Sequence, residues 1–374
     1  MGRNALLVGS IAAIAVLCEA LASAPPARGA DLNDATCAPS GNVRFICSRG
    51  GPEDISRLEG TDWAVSSAFS GALGLRLLSV RNAEEVAILY PSVDARKKHD
   101  TATYRDCPGP LGAEGDATFI SHGLAITKVS DRSFALYVVY HGERESIEVF
   151  NLDVASGQRP VVTWVGCAVA PGPAVFNAVA SLPGRGLVAT NSREKKEGWK
   201  PLAHFSTFFG DPLANSVSPE FQKRQAAGEN TGNVLEWQPK SGWTKLAGSD
   251  SRPNGIETSK YGKFVYVITD GTKLMRLPRG GSTPKPDVVD FGIRGDNVKW
   301  SADGSKLLIA GNVSRGSDGA VDGKVVAVDP NSLQVTDLGG VSGPIQTAIQ
   351  VGNQLWLASV QGMRVIVLPM PGMK

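Results

Sequence analysis

Apolar residues in this chain fall into short runs, grouped in pairs, and the pairing recurs six times. Asp54 precedes Ile55 and then Trp63-Ala64-Val65, and His122 precedes Gly123-Leu124-Ala125-Ile126 and then Phe134 to Val139. Asn177 precedes Ala178-Val179 and then Leu187-Val188-Ala189. Asn254 precedes Gly255-Ile256 and then Phe264-Val265-Tyr266-Val267-Ile268. Asn297 precedes Val298 and Trp300 and then Leu307-Leu308-Ile309, and Thr347 precedes Ala348-Ile349 and then Leu355-Trp356-Leu357. Each pair predicts a hairpin of β-branched and aromatic residues that begins with a side chain able to bind something.

A further short strand follows each hairpin: Glu85 to Leu89, Ile147 to Phe150, Val234 to Trp237, Leu274 to Leu277, Val325 to Val328 and Arg364 to Val367. Several alternate polar and apolar residues, as a strand with one wet face does. A sixfold sheet repeat predicts an all-β fold, a six-bladed β-propeller, in which radial stacking leaves only short edges. The alternative on strand count is an irregular β-sandwich.

Composition agrees with an all-β chain. Of 374 residues, 43 are Gly and 23 Pro, and 42% are hydrophobic, which gives a sizeable core and many turns. A net charge of +2 offers no footprint for nucleic acid or an anionic membrane, so neither is expected as a partner.

The first thirty residues read as an export signal: Arg3, an apolar stretch from Ala5 to Leu21, and Arg28-Gly29-Ala30 before Asp31. The apolar stretch is interrupted by Cys18 and Glu19 and is short for a membrane span, so no span is expected in the mature chain. Leu17 before Cys18 is a poor context for lipid attachment, which makes a lipoprotein the lesser alternative. The mature chain, residues 31–374, is expected to be one propeller domain in the periplasm or outside the cell.

Four cysteines remain, Cys37, Cys47, Cys107 and Cys167, and they allow three pairings. An oxidising compartment predicts two disulfides. The expected pairs are Cys37–Cys47, closing a small loop, and Cys107–Cys167, tying the lead-in of the second blade to that of the third.

Residues 31–50 read as an irregular arm, and Arg96-Lys97-Lys98 as a solvated charge run. The longest interruption, residues 192–229, carries Trp199, Phe205, Phe208 and Phe209. A loop of that length is either a lid over a site or a partly ordered insertion.

In a propeller the innermost strands line a central channel, so their first residues share one rim. That places Glu53-Asp54, His122, Asn177, Asn254, Asp296-Asn297 and Thr347 together. Carboxylates with several amide oxygens suit a hard cation such as calcium, whereas zinc asks for nitrogen or sulfur donors. Singly, each Asn or Asp reads as a turn-forming residue, and Asn254-Gly255 alone is a turn signal. His122 opens the inner strand of blade two, and His141 ends the strand returning from Ser130-Asp131-Arg132. The hairpin should bring the two imidazoles together as a general-base pair. His99 and His204 fall in connectors and receive no role.

In their order, these segments resemble the paraoxonase/arylesterase family, calcium-dependent six-bladed propellers related to gluconolactonases and strictosidine synthase. The resemblance rests on Gly51-Pro52-Glu53-Asp54, Ser121-His122-Gly123-Leu124, Leu136 to His141 leading into Ser146 to Phe150, Asn177, Ala189-Thr190-Asn191, Asn254-Gly255-Ile256 with Tyr261 to Tyr266, and Asp296-Asn297. It implies that Glu53, Asn177, Asn254, Asp296 and Asn297 hold a catalytic calcium, that His122 and His141 are the family's histidine pair, and that the substrates are lactones and aryl esters. The chain departs from the family twice. The family sets an Asp after the third-blade Asn to hold a second, structural calcium with the counterpart of Asp54; here that residue is Ala178, which leaves Asp54 for another role. No cysteine follows Cys167, so the ring must close by strand pairing alone. The other functional readings are a gluconolactonase-like sugar lactonase working through metal-bound water, and a non-catalytic propeller braced by its metal.

Overall fold

The computed structural model describes residues 37–155, 158–198, 213, 216–281, 284–316 and 319–371. The expected export signal (1–30), His204 and part of the expected lid (199–212, 214 and 215, with Trp199, Phe205, Phe208 and Phe209) lie outside the described residues.

All six hairpins form, and each is the inner half of an antiparallel sheet. The innermost strands are Ile55–Arg57, Ser121–Ser130, Ala174–Ser181, Pro253–Thr258, Arg294–Trp300 and Thr347–Val351. Each contacts the innermost strand of the next blade, and the last returns to the first, so the six close a ring. The protein is a six-bladed β-propeller. Its core lies in the wedges between blades: Ile256, Val265 and Met275 pack with Val188 and Val234 between blades three and four, and Ile349 and Trp356 with Ile55 and Leu78 between blades six and one. Radial stacking thus buries the apolar faces that single blades leave open.

The strand expected after each hairpin is present, but in five blades it is the third strand and a fourth lies outside it. Blade one differs, since Leu75–Ser79 is its third strand and Glu84–Tyr90 its outermost. Outer strands such as Asp287–Asp290 are largely exposed and lack an apolar face, which hides them from a periodicity reading.

The arm expected at residues 31–50 is not wholly irregular. Arg44–Cys47 pairs antiparallel with Arg364–Pro369 and supplies the fourth strand of blade six. Strand pairing thus closes the ring between the two ends of the described chain. The Cys37–Cys47 disulfide secures this strand, with Cα atoms 6.0 Å apart.

The other pair, Cys107–Cys167, also forms, but Cys167 belongs to Val161–Val169, the fourth strand of blade two. The bond therefore braces one blade and does not tie two together. Arg96–Lys97 is likewise part of blade two, a short parallel edge strand against Val161–Val169. Lys97 Nζ pairs with Asp116 at 2.6 Å and donates to Leu111 O at 2.8 Å, so the charge run is only partly solvated. At the expected lid, strand Leu187–Glu194 continues past 192, and helix Pro219–Ala226 is capped by Ser218. Among the described residues no helix is long and apolar enough to cross a membrane.

Candidate metal and catalytic site

Four inner strands carry the same irregularity. Between Val138 and Tyr140 on the second strand of blade two, the inner strand spends two residues, His122 and Gly123, against one. The same two-against-one step falls at Asn177-Ala178 in blade three, Asn254-Gly255 in blade four and Asp296-Asn297 in blade five. A β-bulge of this kind bends the strand and re-aims a side chain that regular pleating would direct elsewhere. Each bulge holds a residue singled out from the sequence. The bulge need not lie at the strand start: Asn177 is the fourth residue of Ala174–Ser181, so the expectation that every binding residue opens its strand is corrected.

The glycines in two bulges are there for space. A Cβ on Gly123 would lie 2.6 Å from Ala178 Cα and Asn177 O, and one on Gly255 would lie 2.4 Å from Asp296 O. Asn254-Gly255 is thus not a turn, as it would read alone, but a point where neighbouring blades touch backbone to backbone.

These contacts gather the side chains. Asn297 donates from Nδ2 to Glu53 Oε1 at 2.6 Å, and Asn254 donates from Nδ2 to Asp296 Oδ1 at 3.0 Å. A carboxylate only accepts, so each pairing turns the amide nitrogen toward the acid and fixes the orientation of the amide. Three buried oxygens are then left with no hydrogen-bond partner: Glu53 Oε2, Asn177 Oδ1 and Asn254 Oδ1. They come from blades one, three and four. Burial pushes the Glu53 carboxyl well above its usual range, and Asp296 and Asp54 add to it, against the Asn297 hydrogen bond and the Lys299 charge. Burial also raises Asp296 to about 7. Orphaned acceptors and crowded carboxylates together describe a site short of positive charge. Among the described residues no three His, Cys, Asp or Glu side chains cluster as a metal site; this set is mixed, carboxylates with amides.

Thr347, placed on the same rim by the sequence, has its hydroxyl committed to Glu53 O at 2.8 Å and Asp54 Oδ1 at 3.1 Å. Asp54 turns below the rim and is not grouped with the orphaned oxygens.

The histidines meet as expected, His122 Nδ1 lying 2.9 Å from His141 Nε2. Sequence reasoning missed the third member. Glu145 Oε2 is 2.8 Å from His141 Nδ1, and its Oε1 accepts the Phe176 N–H at 2.8 Å. His141 and Glu145 are register partners across the reversal at residues 142–144, a facing that the hairpin geometry could have disclosed. The chain of contacts sets the tautomers: a Glu145 carboxylate oxygen accepts, so His141 carries its proton on Nδ1; His141 Nε2 then accepts from His122 Nδ1–H. The free lone pair is on His122 Nε2, which faces Glu53 Oε1 at 3.7 Å. Burial, then His141, then Arg193 hold the His122 imidazole well below its usual titration range, so it is neutral at neutral pH. Phe69 stacks on it with ring centroids 4.1 Å apart, and Val175 and Leu213 continue an apolar wall.

No protein-family model matches the chain, and no curated protein sequence matches it either. Solved structures do. A gluconolactonase from Xanthomonas campestris superposes with a TM-score of 0.54 at 15% identity, over 88% of this chain and 89% of that one. A luciferin-regenerating enzyme superposes with a TM-score of 0.51 at 10% identity, over 89% and 96%. At these identities the likeness is one of fold.

Proposed function

We propose that the channel mouth is the active site of a calcium-dependent hydrolase acting on a lactone or an aryl ester. The observation that carries this reading is the set of three partnerless buried oxygens, Glu53 Oε2, Asn177 Oδ1 and Asn254 Oδ1, beside a neutral imidazole with its lone pair free. Glu53, Asn177, Asn254, Asp296 and Asn297 would hold the ion; oxygen donors delivered by separate blades suit the loose coordination of calcium. When bound, calcium polarises a substrate carbonyl and offsets the charge that grows on its oxygen.

The protein's own groups account for the proton. His122 Nε2 takes it from the attacking water as the new C–O bond forms. The imidazolium is stabilised through its Nδ1–H bond to His141, which in turn donates to Glu145. When the ester C–O bond breaks, the proton passes from His122 to the departing alkoxide or phenoxide. The Phe69 ring and the apolar wall behind it exclude water from one side of His122 and give an aryl or alkyl group a surface to lie on.

The test is a hydrolysis screen over aliphatic lactones, sugar lactones and aryl esters, run with calcium and with chelator. Turnover should require calcium, and His122→Gln should lower kcat/KM by about 100- to 10,000-fold while the circular dichroism spectrum is kept. Activity that survives both would overturn the mechanism. The fold shared with a gluconolactonase favours a second reading, a sugar lactonase in which metal-bound water acts without His141. Full rate in His141→Ala on a sugar lactone would select it. Tight calcium without turnover on any substrate would leave a non-catalytic, metal-braced propeller. Both disulfides suit an oxidising compartment, and the reading includes export to the periplasm or beyond.

A further inference from the structure

One layer below the mouth lies a second acidic position that is fully satisfied. Asp54 Oδ1 accepts from the Ile55 N–H at 2.7 Å and from Thr347 Oγ1 at 3.1 Å. Its Oδ2 accepts from the Leu124 N–H at 2.7 Å and from Lys299 Nζ at 2.8 Å. The same ammonium donates to Leu124 O at 2.6 Å, and the Lys299 side chain is only 12% exposed. Lys299 belongs to the inner strand of blade five, Asp54 directly precedes that of blade one, and Leu124 belongs to that of blade two. In a ring of six, blade five stands opposite blade two, so the bond to Leu124 O spans the channel.

A divalent ion has no purchase here. Both oxygens of the Asp54 carboxylate are engaged, and Leu124 O is taken by the ammonium. Blade three contributes Ala178, which has no oxygen in its side chain, and Thr190 Oγ1 accepts the Ala178 N–H at 3.0 Å. Glu257, on the inner strand of blade four, feels the same ammonium: burial pushes its carboxyl up to about 7, and Lys299 pulls against that rise.

We propose that Lys299 is a tethered cation on the propeller axis, occupying the place of a second metal ion and positioning the three strands that carry Glu53, His122 and Asn297. Asp54 follows Glu53 directly, Leu124 lies two residues after His122, and Lys299 lies two residues after Asn297. The clamp therefore grips each of these strands within two residues of the site.

Calcium equivalents counted by equilibrium dialysis on the wild type, Lys299→Ala and Lys299→Met test this. Lys299→Ala opens a space facing Asp54 and Leu124 O and should take up one equivalent more than the wild type. Lys299→Met fills the space without charge and should take up no more than the wild type. In chelator both should melt about 5–10 °C below the wild type, because Asp54 is left buried without its partner, and calcium should restore only Lys299→Ala. Equal stoichiometry in the wild type and Lys299→Ala, or unchanged melting in both variants, overturns the proposal. Since the count is a difference between chains, it reads Lys299 even where the wild type binds no calcium, a result that would sink the mouth reading instead. Should neither variant fold, the wild type suffices: reductive methylation followed by mass spectrometry should label Lys299 roughly tenfold more slowly than exposed Lys98, equally in calcium and in chelator. Labelling of Lys299 as fast as Lys98 overturns it too.

Discussion

The mouth and the layer beneath it are built from neighbouring residues, yet their electrostatics are opposite. Glu53 and Asp54 are adjacent, and Asn297 and Lys299 share one strand. At the mouth, burial raises the carboxyls of Glu53 and Asp296, and three oxygens have no partner. Beneath it, the Asp54 carboxylate has four partners, one of them an ammonium. A buried carboxylate needs a counter-charge, and the chain can either contain one or leave room for one. Where it contains one, the position is structural; where it leaves room, the position is free to meet a ligand.

Substitutions at the adjacent acids should separate the two layers most sharply. Glu53→Gln should weaken calcium binding by at least about 100-fold, since even outer partners of metal ligands cost 10- to 100-fold, while melting in chelator does not fall. Asp54→Asn should do the reverse, costing about 3–5 kcal/mol of stability with calcium affinity, measured by calorimetry, changed less than about tenfold. Matching phenotypes would erase the distinction. A smaller effect is expected at Glu145. Glu145→Gln can turn its amide N–H toward His141 Nδ1 and disturb the tautomer, so kcat should fall about 10- to 100-fold. KM and melting should hold, the pH–rate profile should shift, and Glu145→Asp should recover part of the rate; an unmoved profile would make Glu145 merely structural. The smallest is Gly255→Ala, whose Cβ meets Asp296 O. It should cost about 1–3 kcal/mol by overpacking and loosen calcium a few-fold, because the backbone that must shift carries Asp296 and Asn297.

The inner ring was legible because inner strands obey local rules: β-branched runs, Gly-containing reversals and one polar residue per hairpin. What escaped is what locality does not encode. Outer strands such as Asp287–Asp290 lie mostly in solvent and carry no alternation to detect. Arg44–Cys47 is ordered by a partner at the other end of the chain. At the mouth, residue identities were readable from the repeat, but the bulges were not, since an extra residue shows only once the facing strand is known. Neither Glu145 nor Lys299 received a role from the sequence. The spacing of two between Asn297 and Lys299 did put both on one face, a clue that pleating makes available.

The pairing of Arg44–Cys47 with Arg364–Pro369 also orders events in time. A ribosome releases the earliest of these segments long before the latest, so the seam of the wheel stays open throughout synthesis. Contacts so distant along the polymer form late and slowly. Until the tail arrives, the outer strand of blade six has no partner and the channel has no fixed circumference. Loss of a handful of residues near position 364 would therefore do more than fray an end: it would unlatch the whole circle.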